Sequence, residues 1–131
     1  MTAVQFNVAL IDYSTAACRG IPTEMFMEWE CHTEARRVCA GCPVAADCYF
    51  EAVRDDLSGT WGGCWFGKPG RAGARNVAKG HTERMQLYRA ILCERIGISI
   101  DEFIRRYGKS QAGMRTALRR LSGLRPHEQR R

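Results

Sequence analysis

Long apolar runs are missing from this 131-residue chain, and nothing in it approaches the roughly 20 apolar residues that cross a bilayer. A membrane-spanning role is therefore not supported. The N-terminal stretch lacks a basic region followed by an apolar one, so no secretory signal is expected. Runs rich in β-branched and aromatic residues are scarce as well, and the βαβ scaffold of a thioredoxin-like enzyme is not in evidence. That weakens one reading of Cys39-Ala40-Gly41-Cys42, a dithiol oxidoreductase, and the chain is not expected to be an enzyme. The seven cysteines are an odd number without a signal for secretion, so a disulfide framework explains them poorly and a cytoplasmic location is expected.

Acidic side chains are unevenly withheld. Residues 67–131 hold five of them against sixteen Lys and Arg, a balance of +11, whereas residues 1–66 hold nine against four, a balance of −5; the sum is the overall +6. An acidic half joined to a basic half predicts two tasks, one facing a protein or cofactor and one facing a polyanion such as DNA. At this length neither half alone buries much core, and a metal site would act as a staple.

Cys39 to Cys48, CAGCPVAADC, has the spacing of a ligand set. Two cysteines two residues apart can bind one centre from a single turn, and a third follows after five more residues. Pro43 suits the first position of a helix, which places Cys42 at the N-cap and Cys48 one and a half turns in, where the helix dipole favours anionic sulfur. A fourth thiolate is needed, with Cys18 and Cys31 upstream and Cys64 downstream as candidates. Zinc and an iron-sulfur cluster both accept four thiolates; zinc sites usually show two short chelating loops, and one CxxC tilts the choice toward a cluster. A zinc-stapled DNA-binding adaptor remains the alternative, with His32 beside Cys31 as a possible ligand or else a surface imidazole.

With Cys18 chosen, the spacing is C-x20-C-x2-C-x5-C, followed by Gly59-Thr60-Trp61-Gly62-Gly63. Together with Ala17-Cys18-Arg19-Gly20 and Met25-Phe26-Met27, these motifs resemble the WhiB-like family of actinobacterial and actinophage iron-sulfur transcription regulators, over about residues 10–66. The resemblance implies a [4Fe-4S] cluster on Cys18, Cys39, Cys42 and Cys48, with redox or nitric oxide sensing. It also implies that Phe26, Met27 and Trp61, with Gly59, Gly62 and Gly63 shaping the turn, grip the C-terminal domain of the principal sigma factor within RNA polymerase. Trp65 and Phe66 would widen that surface. Where the family usually has two aromatics after its first cysteine, this chain has Phe26 alone.

The expected fold is mostly α: an iron-sulfur module over residues 1–66, a Gly-rich basic linker over 67–81, a basic three-helix segment over 82–122 and a basic tail over 123–131. Val4, Phe6, Val8 and Leu10 alternate, as in a short strand or an ordered arm. Short helices are predicted at Thr23–Phe26 and Thr33–Val38, and a longer one at Pro43–Asp56 whose Ala45, Cys48, Tyr49, Ala52 and Val53 face the cluster. Lys68 and Arg71 in the linker are positioned to hold phosphate.

Beyond the linker, Met85, Tyr88, Ile91, Leu92 and Ile96 share a helix face that Gly97 ends. Ser99-Ile100-Asp101-Glu102 is a capping box opening a short helix with Ile100, Phe103, Ile104 and Tyr107 inward. Ser110 caps a third helix that buries Met114, Ala117, Leu118 and Leu121. This resembles a helix-turn-helix. Gln111, Ala112, Arg115, Thr116, Arg119 and Arg120 are then expected on its outer side, with Gln111 and Arg115 reaching promoter DNA bases and Arg119 and Arg120 its phosphates. A three-helix bundle with a merely basic surface is the competing account.

Overall fold

The computed structural model describes residues 15–67 and 81–122. The proposed N-terminal strand or arm, most of the linker with Lys68 and Arg71, and the basic tail lie outside the described residues. The fold is mostly helical, with one small sheet: α1 (Glu24–Met27), a 3₁₀ turn at Trp29–Cys31, α2 (His32–Ala40), α3 (Ala45–Asp55), β1 (Gly59–Trp61), β2 (Cys64–Phe66), α4 (His81–Ile96), α5 (Ile100–Tyr107) and α6 (Gln111–Leu121).

Two boundaries differ from expectation in ways that matter for the cysteines. α2 runs on to Ala40, so Cys39 lies in its last turn rather than in a loop. α3 begins at Ala45 instead of Pro43; its N-cap is Val44, and Cys42 belongs to the preceding turn, where its carbonyl accepts from the Ala45 N–H. The chain leaves α3 through Asp56 in the left-handed conformation. β1 and β2 then pair antiparallel in the register Gly59 with Phe66, Thr60 with Trp65 and Trp61 with Cys64. Gly62 and Gly63 form the two-residue connection with φ of 59° and 82°. Positive φ at both positions is the I′ hairpin turn, whose twist matches that of the strands it joins.

α3 separates two environments. Tyr49, Phe50, Ala52 and Val53 are buried in a core shared with Cys64 and Phe66 of the hairpin and with Tyr88, Leu92, Phe103, Met114 and Leu118 of α4 to α6. Only Ala45 and Cys48, of the five residues expected to face the cluster, line the cysteine cavity. Aromatic rings dominate the junction: Tyr49 lies 4.6 Å from Tyr88 and 5.8 Å from Phe66 between centroids. Such ring pairs add about 0.5–1.5 kcal/mol to their area burial. The basic helices therefore share a core with the cysteine-bearing half.

Helices α5 and α6 have the expected caps. Ser99 Oγ accepts from the Glu102 N–H and Ser110 Oγ from the Gly113 N–H. The Glu102 carboxylate binds Arg105 and Arg106, so the reciprocal half of the capping box is replaced by ion pairs. Ile100 is 44% exposed rather than inward, since it sits at the first position of α5. The close crossing of α5 and α6 is made by Gly113: a Cβ there would lie 2.0 Å from the Tyr107 carbonyl oxygen. The small residue is thus on the second helix, while Ile104, four residues before the turn glycine, is half-buried.

Arg115 and Arg119 face α3. Arg115 Nε donates to Val53 O at 3.1 Å and its Nη2 to Asp56 at 3.1 Å, while Arg119 Nε donates to Arg54 O at 3.1 Å. The last carbonyls of a helix have no partners within it and carry the negative end of its dipole, so two cations satisfy both the hydrogen bonds and the field.

Candidate metal centre

Cys18, Cys39, Cys42 and Cys48 line one cavity of about 220 Å³. Each arrives from a different piece of local structure. Cys18 sits in a turn ahead of α1, its carbonyl accepting from the Ile21 N–H. Cys39 lies in the last turn of α2, the chain turns back through Cys42, and Cys48 lies in the first turns of α3. The remaining wall is mostly apolar, with Ile21, Phe26, Met27, Val38, Val44 and Trp61 beside Thr23 and Thr60. All seven cysteines are free thiols; Cys31, Cys64 and Cys93 are not in this lining.

Backbone N–H groups point at three of the four sulfurs. The Ala17 N–H donates to Cys42 Sγ at 3.4 Å. Burial pushes the Cys39 thiol up, against a hydrogen bond from the Gly63 backbone that pulls it down. Burial likewise raises Cys48 to about 12, opposed by a hydrogen bond from the Gly62 backbone. Desolvation dominates in both, so an anionic sulfur here needs a cationic centre, while the amide donors favour the anion. This fits a metal-bound thiolate: four soft ligands, an apolar wall and donors already in place.

The hairpin turn is held against α3 more tightly than its role as a turn requires. A Cβ on Gly62 would lie 2.5 Å from the Ala45 carbonyl oxygen and 2.8 Å from Tyr49 Cβ. At the other end of β1, one on Gly59 would lie 2.5 Å from Phe26 O. β1 is therefore wedged between α1 and α3, which sets Phe26, Met27 and Trp61 around one mouth of the cavity. Trp61 is fixed by a 2.8 Å hydrogen bond from its indole N–H to Ser58 O, and Met27 is 39% exposed.

His32 is buried, not a surface imidazole. Its Nδ1 lies 2.9 Å from Thr60 Oγ1, and its ring stacks on Trp29 at 5.4 Å. Trp65 packs on Trp29 at 5.3 Å. Sequence reasoning missed this cluster, because it depends on the hairpin register that sets Trp65 opposite Thr60. It also missed Arg84 and Tyr88 of α4, which reach the glycine turn. Tyr88 was legible only as an apolar helix-face residue; nothing in the sequence marked Arg84.

Of the residues expected to face DNA, Ala112, Thr116 and Arg120 are exposed and Gln111, Arg115 and Arg119 are half-buried. Thr116 Oγ1 donates to Ala112 O within its own helix, and the Arg120 guanidinium lies 5.9 Å from the Tyr107 ring.

The family model described as transcription factor WhiB matches residues 13–73. This chain carries a WhiB domain. The WhiB segment contains the four cavity cysteines and the whole hairpin, and α4 to α6 lie beyond it. Transcription regulation is the coarse function that follows from the WhiB family. No curated protein and no solved structure matches the chain. Among the described residues, no helix is long and apolar enough to cross a membrane.

Cys64 gives the site a measurable alkaline limit. Burial raises its thiol from the ordinary 9.0 to about 12, and burial raises Tyr88 from 10.0 to about 12. Each group keeps its proton longer folded than unfolded, so its contribution is complete below the unfolded pKa and is lost as pH rises toward the folded one. Between pH 9 and 10, Cys64 should contribute a slope approaching 1.4 kcal/mol lost per pH unit. Urea unfolding across this interval should show a shallower loss in Cys64→Ala than in the parent; equal slopes would mean the buried thiol is not the source.

Proposed function

We propose that this chain is an iron-sulfur transcription regulator whose Cys18, Cys39, Cys42 and Cys48 hold a [4Fe-4S] cluster. The observation that carries the reading is the set of four thiols around one apolar cavity within the WhiB domain. A single zinc ion fits less well, because Zn–S bonds of about 2.3 Å gather their ligands around one point. Among the described residues, no three His, Cys, Asp or Glu side chains form such a group. The cluster supplies electron transfer and sensitivity to oxidants when bound; a redox or nitric oxide input follows from the resemblance. The chain's own residues exclude water with Phe26, Val38 and Trp61 and hold the sulfurs with backbone N–H groups.

Anaerobically purified protein should contain iron and sulfide in equal amounts. Replacing any of the four cavity cysteines by Ser should remove them and loosen the N-terminal half, since binding energy in such sites is largely folding energy. Cys31→Ser should retain both. Zinc instead of iron would select the adaptor reading, and iron retained in Cys18→Ser but lost in Cys31→Ser would reassign the fourth ligand.

Phe26, Met27 and Trp61 form the docking face for the C-terminal domain of the principal sigma factor, with Gly59, Gly62 and Gly63 fixing its shape. Half-buried aromatic groups on a rigid turn make good anchors, because little side-chain freedom is lost on binding. Trp61→Ala and Phe26→Ala should each weaken sigma binding by about 2 kcal/mol or more with iron content unchanged. Undiminished co-purification of both variants with that domain would remove the docking mode.

Promoter DNA contact belongs to the outer side of α5 and α6, where Thr116, Arg120, Arg105, Arg106 and Lys109 are exposed, with Gln111 at the start of α6. Lys68 and Arg71 are proposed to add phosphate contacts. Arg115 and Arg119 are tied to α3, so their first effect is on stability. Arg120→Ala should weaken binding to all sequences and reduce the log–log salt slope by about 0.9. Arg115→Ala should instead lower unfolding stability by about 1 kcal/mol. If Arg120→Ala leaves DNA affinity unchanged at every salt concentration, this face does not carry the contact.

A further inference from the structure

α4 lies outside residues 13–73, yet two of its side chains close on the turn that faces the thiols. The Tyr88 hydroxyl donates to Gly62 O. The Arg84 guanidinium lies on Gly63, so close that a Cβ there would stand 2.9 Å from its Nη1 and 3.0 Å from its Cζ. Gly62 and Gly63 are the residues whose backbones hydrogen-bond Cys48 and Cys39. From α4 to a ligand sulfur there is thus a single intervening residue.

Arg84 is half-buried, and among the described residues it makes no salt bridge with a carboxylate. Its side chain hydrogen-bonds Tyr88, and its charge pulls the Cys39 and Cys64 thiols down against the larger effect of burial. A cation withdrawn from water needs an anionic neighbour. Four thiolates around an iron-sulfur centre provide one a short distance away, with net negative charge that increases by one unit on reduction.

Resting on the cluster reading above, we propose that Arg84 is the counter-cation of the cysteine site, a positioning residue that the C-terminal helices supply to the WhiB domain. Its fixed positive charge stabilises the reduced, more negative centre more than the oxidised one and so raises the reduction potential, as charge and hydrogen bonds around sulfur ligands do. By linkage, a filled site strengthens the seating of α4 on the hairpin.

The test is an anaerobic titration of the full-length protein with dithionite, followed in the visible absorption, with iron and sulfide measured on the same samples. Arg84→Gln should keep its iron and shift the one-electron equilibrium about tenfold toward the oxidised form, a potential about 59 mV lower. Arg84→Lys should stay within about threefold of the parent, because it retains the charge. An Arg84→Gln protein with full iron and the parental potential would overturn the proposal. So would an Arg84→Lys protein shifted as far as Arg84→Gln, which would make the contact steric. If Arg84→Gln loses its iron, retention in Arg84→Lys supports the charge and loss in both variants overturns it. Absence of iron from the parent, seen in the assay before any titration, defeats the cluster reading itself and the proposal with it.

Discussion

Cys48 and Tyr49 are neighbours in the chain, and α3 turns them to different tasks: the thiol lines the cysteine cavity and the ring enters the core built with α4 to α6. That division of one helix governs the rest. The cavity must form where α3 presents Ala45 and Cys48, so α2 has to stop just after Cys39 and the chain has to double back through Cys42. The core must form where Tyr49, Phe50 and Val53 emerge, so the hairpin and the basic helices have to gather there. Gly62 meets both demands, with room beside Tyr49 and the Ala45 carbonyl for a backbone but not for a side chain.

Much of this was legible in the residues. The cysteine spacing picked out Cys39, Cys42 and Cys48, the family resemblance added Cys18, and these four line one cavity; the periodicity of residues 85–121 pointed to three helices with two serine caps. Local signals of this kind carry their own physics: a chelating turn, a cap and an apolar stripe act over a few residues. What escaped were the encounters between distant segments. Arg115 and Arg119 lie opposite the most buried residues of α6, which in an isolated helix is the solvent side; the C-terminus of α3 occupies that side here. Gly113 carries no local signal of its own, since its role depends on the Tyr107 carbonyl that packs against it. The division by charge at residue 66 was real in the sequence but does not mark a break in the core.

The glycine turn joins the structural and functional readings. Its positive φ values serve the hairpin, its amides serve the sulfurs, and its carbonyl and open face receive Tyr88 and Arg84. A polar anchor reaching one residue from the cavity thiols can affect both the order of the turn and the charge around them. Of the face proposed for the sigma factor, Trp61 stands on the strand that leads into this turn and Phe26 packs across Gly59 at its other end, so that face and the cysteine cavity share one support.

The arginines that close α3 also bear on how such a chain can be rebuilt. A C-terminal segment borrowed from another protein could bring a new surface charge and a new helix-turn-helix, but unless it also brought donors for the Val53 and Arg54 carbonyls it would leave the helix behind Cys48 with an open end. Exchange of C-terminal segments is therefore constrained at the seam, where two basic side chains belong by sequence to one segment and by bonding to the other.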